Sequence, residues 1–427
     1  MAGGGGDAAA AAVKKDVEAE VVIVGGGIAG LATALALRRA GVACGRGGGI
    51  LVLERHAGLR ATGAALTIFP NGWFALRALG VAHKLTSRYD AYETSEVTNL
   101  ESGATQVFRF AGSKNKPTRL PFLEELPPGT VRFSSKLVSI DTECAAGDSS
   151  ETVVQPVIRA KVLIGCDGVH SVVARWLGLP EPGSSGRSCV RGLSIFPDGH
   201  GIKRELRQFL SQGLRAGMVP ISDTDVYWFL VNDTLRAAAA ASEFAEKEAA
   251  GDPAKTLREV TENLAGHMPA EYLDVVRHSD HGNLSWAPLL YRNPVSLLTG
   301  AAARGAVTVA GDAFHPMTPD MAQGGCSALE DAVVLARALA RAATPAEGVA
   351  AYVARRRWRA AWLVAGAFLL GWVQQGGTNV RGVRGRLVRM FRDWVFYPFV
   401  FPRLADTMWF DCGDLAPPCT DGQSHGE

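Results

Sequence analysis

Paired cysteines are missing from this chain. Its seven cysteines, at 44, 144, 166, 189, 326, 412 and 419 of 427 residues, are odd in number, scattered, and include no Cys-x-x-Cys. That pattern argues against a disulfide framework and a structural zinc site, and for a reducing compartment. No metal site is expected. Charge of one sign is missing too: 44 basic against 42 acidic residues leave +2, with no basic block before the C-terminal quarter. A nucleic-acid partner is therefore not expected. The longest apolar run, Ala360–Val373, has 14 residues; a spanning helix needs about 20. No secretory leader is legible, because Met1–Ala12 is Gly/Ala-rich and Lys14, Lys15, Asp16, Glu18 and Glu20 stand where an apolar core belongs. A cytoplasmic location is expected, with plastid import left open. What the chain does have is a hydrophobic content of 47%, enough for a large buried core.

Three apolar runs each end in a small or acidic corner. Glu20–Val24 ends at Gly25-Gly26-Gly27-Ile28-Ala29-Gly30, and a helical stretch, Leu31–Ala40, leads on to Ile50–Leu53 and Glu54. Strand, glycine turn, helix and strand make a βαβ unit. Lys161–Gly165 ends at Cys166-Asp167-Gly168, and Ala306–Ala310 at Gly311-Asp312 before a helix from Cys326 to Ala343. Open parallel sheets bind ligands at the carboxyl ends of their strands, so three such ends predict one long ligand. Elsewhere Val131–Ile140 reads as a strand, Phe69–Gly72 as a turn before a helix over Trp73–Leu79, and Ser222–Asp225 as a hairpin turn before the strand Val226–Val231.

The first corner carries Gly25-x-Gly27-x-x-Gly30. Gly25 permits the tight turn, Gly27 lets backbone approach a pyrophosphate, and Gly30 lets helix and strand pack closely. Glu54 is placed to accept from an adenosine ribose, with Arg55 beside it as a further cofactor candidate. Glu54 stands 24 residues after Gly30, beyond the usual roughly 20; Cys44–Gly49 reads as an insertion that takes up the excess.

Gly165–Ser171 with Arg175, and Gly311-Asp312-Ala313-Phe314-His315-Pro316-Met317-Thr318-Pro319-Asp320 followed by Gln323-Gly324-Gly325, resemble the paired signatures of FAD-dependent aromatic-ring hydroxylases, the class A flavoprotein monooxygenases. Arg60–Ala65 and Phe133-Ser134-Ser135-Lys136 bring the resemblance nearest to the plant salicylate-hydroxylase-like monooxygenases. The resemblance implies an α/β fold: a glutathione-reductase-type, Rossmann-like FAD domain, a β-rich substrate domain and C-terminal helices. The corresponding boundaries are a flexible 1–18, a discontinuous FAD domain over 19–80, 150–180 and 300–345, a substrate region over 81–149 and 181–299, and helices over 346–427.

It further implies roles. Asp312 would bond the FAD ribityl and phosphate region, and Asp167 and Gly168 would contact the pyrophosphate side. Pro319 would line the pocket over the flavin's reactive carbon, and Gln323, Gly324 and Gly325 would turn backbone amides to the pyrimidine end. His315 is a candidate for direct chemistry, with a structural loop histidine as its alternative; Asp167 and Asp312 could equally be capping carboxylates. Tyr227 and Trp228 are substrate-wall candidates that point to opposite faces of a strand, so at most one lines the pocket. The implied activity is hydroxylation of a small aromatic or electron-rich substrate with NAD(P)H and dioxygen, through a flavin hydroperoxide. The alternatives are an FAD oxidase or dehydrogenase, or a catalytically weakened flavin-binding protein.

Two departures accompany the resemblance. Ala322 stands where the family has glycine, which matters if the position needs a positive φ. Lys114–Pro127 is short and proline-interrupted where the family has an arginine-bearing helix; Arg119 is the one candidate for that arginine. Residues 381–403 interleave arginines with aromatic and apolar residues, fitting a basic helix packed on the body, an oligomer contact, or a contact with a membrane surface.

Overall fold

The computed structural model describes residues 17–42, 49–59, 65–86, 94–109, 114–117, 122–142, 157–211, 213–233, 252–376 and 383–415. The expected flexible start up to residue 16, the insertion at 44–48, residues 60–64 of the arginine motif, Arg119 and the segment 234–251 lie outside them.

Among the described residues, a six-stranded sheet runs in the order Ala303–Arg304 (β14), Val307–Val309 (β15), Ile158–Gly165 (β8), Val17–Val24 (β1), Ile50–Leu53 (β2), Val131–Arg132 (β7). Its centre is parallel: Val21 to Val24 align with Val162 to Gly165 on one side and with Ile50 to Leu53 on the other. These strands read as unbroken β-branched runs because a parallel sheet is covered on both faces. One cover is the helix Ile28–Arg39, whose residues Ala29–Leu37 are all buried. Against it lies the helix Gly324–Arg341, which the long helix Pro345–Gly371 covers in turn. This is the expected α/β architecture.

A second sheet has seven strands in the order Ser285–Tyr291 (β13), Gly183–Ile195 (β9), Asp225–Asp233 (β12), Leu214–Pro220 (β11), Leu206–Ser211 (β10), Thr94–Asn99 (β4), Thr105–Arg109 (β5). Strand alternation divides its faces. Val190, Met218, Trp228 and Leu230 pack with Tyr272 and Val276 of the helix Ala270–Arg277. The opposite face presents Arg187, Arg191, Arg215, Val219, Tyr227 and Phe229, by the registers that pair Arg191 with Phe229 and Val219 with Tyr227.

Several boundaries differ from the sequence reading. Only Val131–Arg132 of the strand expected over Val131–Ile140 pairs, and it does so at the edge of the first sheet, outside the substrate region to which 81–149 was assigned. Beyond it Ser134 adopts φ 51 and the chain runs beside Glu54. β1 starts at Val17, inside the stretch expected to be flexible. The helix expected from Trp73 starts at Pro70, where the fixed φ of proline suits a first turn. Lys114–Pro117 (β6) is a strand paired with Ala65–Ile68 (β3), in the segment where the family's arginine-bearing helix has no counterpart.

Candidate cofactor and active site

The Gly25 corner closes on the Asp167 corner. Gly25 has φ +106, and a Cβ there would lie 2.3 Å from the Cys166 carbonyl oxygen; only glycine allows that approach. A Cβ on Gly30 would sit 1.9 Å from the Gly25 oxygen, so the helix and its turn depend on both. Gly27 has open space around it, and as N-cap of Ile28–Arg39 it supplies no side chain to the first turn's amides. Those amides therefore remain for a ligand. Gly25, Gly27, Glu54, Arg55, Asp167 and Gly168 line one cavity of about 310 Å³. Glu54 Oε2 accepts from Gly26 N at 2.8 Å and Oε1 from His56 N at 2.9 Å, and each oxygen keeps capacity for a ribose hydroxyl. Ser135 N donates to the Glu54 carbonyl at 2.8 Å, which brings Ser135 and Lys136 on to the cavity wall.

The Asp167 carboxylate itself is committed locally. It accepts from Ser171 Oγ at 2.5 Å and Val172 N at 2.7 Å, so it caps the helix Val172–Trp176, the capping alternative raised by the sequence. Gly168, at φ 83, makes the turn. Arg175 pairs with Glu181 at 2.8 Å on the surface.

The third corner meets the same helix. Gly311, at φ +60, would place a Cβ 2.7 Å from that of Ala29, and Ala310 N donates to the Gly165 carbonyl at 2.9 Å. Asp312 is exposed; desolvation by the surrounding protein raises its carboxyl's pKa, while His315 and Arg191 oppose the rise. A Cβ on Gly324 would come within 3.9 Å of Asp312 Oδ1, and Gly324–Arg341 also lacks a side-chain cap. Two uncapped helix N-termini thus stand at neighbouring corners, Gly311 lying against Ala29, and the phosphates and flavin ring of a dinucleotide fit that donor set. Gln323 is fully buried, Gly325 packs on Leu66, and Pro319 is exposed at the start of the turn Pro319–Met321. Ala322 holds φ 50, ψ 31, the left-handed conformation that a glycine would take without strain.

His315 is corrected by its position. It is wholly buried, with Nε2 2.6 Å from Asp331 Oδ2, and Asp331 Oδ2 also accepts from Gly311 N at 2.9 Å. It braces the corner rather than meeting substrate. Trp228 is also corrected: it is buried in the far face, its Nε1 donating to Ser279 Oγ at 2.7 Å. Tyr227 lies on the near face beside Phe229, ring centroids 6.3 Å apart. Burial raises its phenol's pKa, with the nearby Arg191 pulling the other way.

Sequence reasoning missed the charges that hold this site. Asp320 accepts from Arg187 at 2.7 Å and Arg215 at 2.9 Å, all three nearly buried, tying the Pro319 turn to the second sheet. Arg356 reaches Asp331 at 2.6 Å and Glu330 at 2.5 Å. Asn71 Nδ2 bridges Gln323 Oε1 at 2.8 Å and Glu330 Oε1 at 2.6 Å. Arg292 donates to the Phe314 and Ala313 carbonyls. Asp320 and Gln323 stand in the third signature, but nothing local marks their partners; Arg356 sits in Arg-Arg-Arg-Trp-Arg, which reads as a solvated face.

Comparison with known proteins agrees with this geometry. A family described as "FAD binding domain" matches residues 18–268 and 291–367. Monooxygenase 2 of Arabidopsis thaliana is 35% identical, over 93% of this chain and 98% of that one. An FAD-dependent urate hydroxylase of Mycolicibacterium vanbaalenii is 28% identical, over 81% and 86%. Among solved structures, Klebsiella pneumoniae HpxO complexed with FAD and uric acid aligns with a TM-score of 0.70 at 21% identity, over 94% of this chain and 98% of that one. A chain matched through all three of its glycine-bearing corners, and along most of its length, belongs to the FAD-dependent aromatic-ring hydroxylase family of flavoprotein monooxygenases.

Proposed function

We propose that this monooxygenase uses NAD(P)H and dioxygen to hydroxylate a small aromatic or other electron-rich substrate. The observation that carries the reading is the juxtaposition of the exposed Pro319 turn with the Arg191–Tyr227–Phe229 face of the second sheet, joined by Asp320, Arg187 and Arg215. Bound FAD supplies the redox and oxygen-activating chemistry that no side chain here offers. The Gly25 turn and the N-terminus of Ile28–Arg39 would hold its phosphates, with Glu54 on the ribose. Asp312 and the amides at Gln323–Gly325 would stand at the flavin end, where a helix N-terminus would stabilise negative charge. Tyr227, Val219 and Phe229 offer an apolar wall with one hydroxyl, which excludes water and orients a flat ring.

Relatives named for urate and for 3-amino-4-hydroxybenzoate support a flat, electron-rich substrate. Among the described residues, the free cysteines 166, 189, 326 and 412 are buried, which suits a reducing cytoplasm. The test is a panel of phenolic acids screened for stimulated NAD(P)H oxidation, with product mass measured beside peroxide. A hydroxylated product supports the proposal; NAD(P)H oxidation that yields only peroxide with every phenol overturns it.

A further inference from the structure

The C-terminal segment carries an apolar surface that the flavin site does not use. On the helix Val383–Phe391, Val383, Leu387 and Met390 are 74%, 58% and 57% exposed, and Trp394, just beyond, is 75% exposed. The spacing of i, i+4 and i+7 puts Val383, Leu387 and Met390 on one stripe of that helix, and Trp394 extends the exposed apolar surface just past its end. Phe396 anchors the segment instead, buried with Leu363, Leu370 and Leu404. Single exposed hydrophobics need no explanation, but a contiguous row marks a surface that is covered in use.

The composition of the segment selects the cover, and Arg386 is exposed beside Leu387. Residues 381–394 hold five arginines, at 381, 384, 386, 389 and 392, against the single acid Asp393. Pairing two such basic segments across a twofold axis would bring like charges together. Anionic lipid headgroups complement it, while Trp394 and the aliphatic stems of arginine suit the headgroup–acyl boundary. Among the described residues no helix is long and apolar enough to cross a bilayer, so the segment would lie on the surface. We propose that this stripe docks the enzyme on an anionic membrane surface. Docking would set the flavin cleft close to the lipid: Phe396 shares its cluster with Met321 of the Pro319 turn, and a Cβ on Gly366 would lie 3.0 Å from Met321 Sδ. An apolar aromatic could then pass from bilayer to cleft without crossing bulk water.

The full chain is mixed with vesicles of phosphatidylcholine alone or with added phosphatidylserine, then sedimented. The expected result is co-sedimentation with the phosphatidylserine vesicles, weakened by salt. L387E/W394E should bind at least about tenfold more weakly, since each side chain contributes roughly that factor when buried. Arg386→Gln, a milder change, should weaken binding in the same direction. Elution volume and circular dichroism check that the variants keep the wild-type fold. Wild-type protein that stays in the supernatant with both vesicle types overturns the proposal. So does a wild-type dimer that the double variant abolishes, because a second copy would then be the cover.

Discussion

Asp320 and Arg187, 133 positions apart in the chain, form a buried two-point ion pair, with Arg187 Nη2 2.7 Å from Oδ2 and Nη1 3.0 Å from Oδ1. The pair fastens the turn that presents Pro319 to the sheet that presents Tyr227. Gly371 leaves room for it, since a Cβ there would lie 2.4 Å from both Arg187 Nη1 and Asp320 Oδ2. Arg215 shares the carboxylate, so neutralising Asp320 leaves two buried cations unmatched.

Asp320→Asn should therefore lower stability by about 3–5 kcal/mol, the range for breaking a buried pair from one side. Denaturant midpoints measure it. The double variant Asp320→Asn/Arg187→Gln should lose less than the sum of the singles, because one stranded charge has been removed.

Ala322 pays for its left-handed φ of 50, which disfavours an L-residue by roughly 1–2 kcal/mol. Ala322→Gly should stabilise the protein by about 0.5 kcal/mol after glycine's greater unfolded-state freedom is subtracted. Ala322→Val should destabilise it. Urea midpoints of the three proteins give the order.

Acid should loosen the Gly311 corner through Asp331. Burial raises that carboxyl's pKa, but His315 and Arg356 outweigh burial and hold it at about 2, against 3.8 in the unfolded chain. A group with a depressed folded pKa stabilises above its unfolded pKa and loses that contribution as pH falls toward the folded value. Stability should thus drop between about pH 4 and about pH 2, followed by tryptophan fluorescence. Asp331→Asn should start less stable and show a shallower decline over that window.

The two neighbours on β12 should behave differently. Tyr227→Phe should raise KM for an aromatic substrate with little change in unfolding, because its ring stays and only the hydroxyl goes. Trp228→Phe should leave KM nearly unchanged and lower stability by about 1–3 kcal/mol, as a buried indole and its bond to Ser279 are lost. Steady-state kinetics beside thermal unfolding separates them.

The legible parts of the molecule were those written locally. A glycine turn needs its glycines at fixed spacing, and a parallel strand needs an unbroken β-branched run, so Gly25, Gly168, Gly311 and their strands could be placed from sequence. Period-2 alternation separated Tyr227 from Trp228 but could not say which faced the cleft, since that depends on which helix covers the sheet. Val131–Ile140 had strand composition, yet only two residues pair because Ser134 turns the chain to Glu54. The Asp320 and Asp331 networks were invisible because their partners lie far along the chain, and an arginine destined for burial looks like any other.

Incorporation of heavy-isotope dioxygen tests the central claim most directly. Reconstituted with FAD and supplied with NAD(P)H and a phenol that stimulates its oxidation, the protein should yield a product carrying one labelled oxygen atom, seen by mass spectrometry. Label found only in peroxide or water, with the phenol unchanged or merely dehydrogenated, would contradict it.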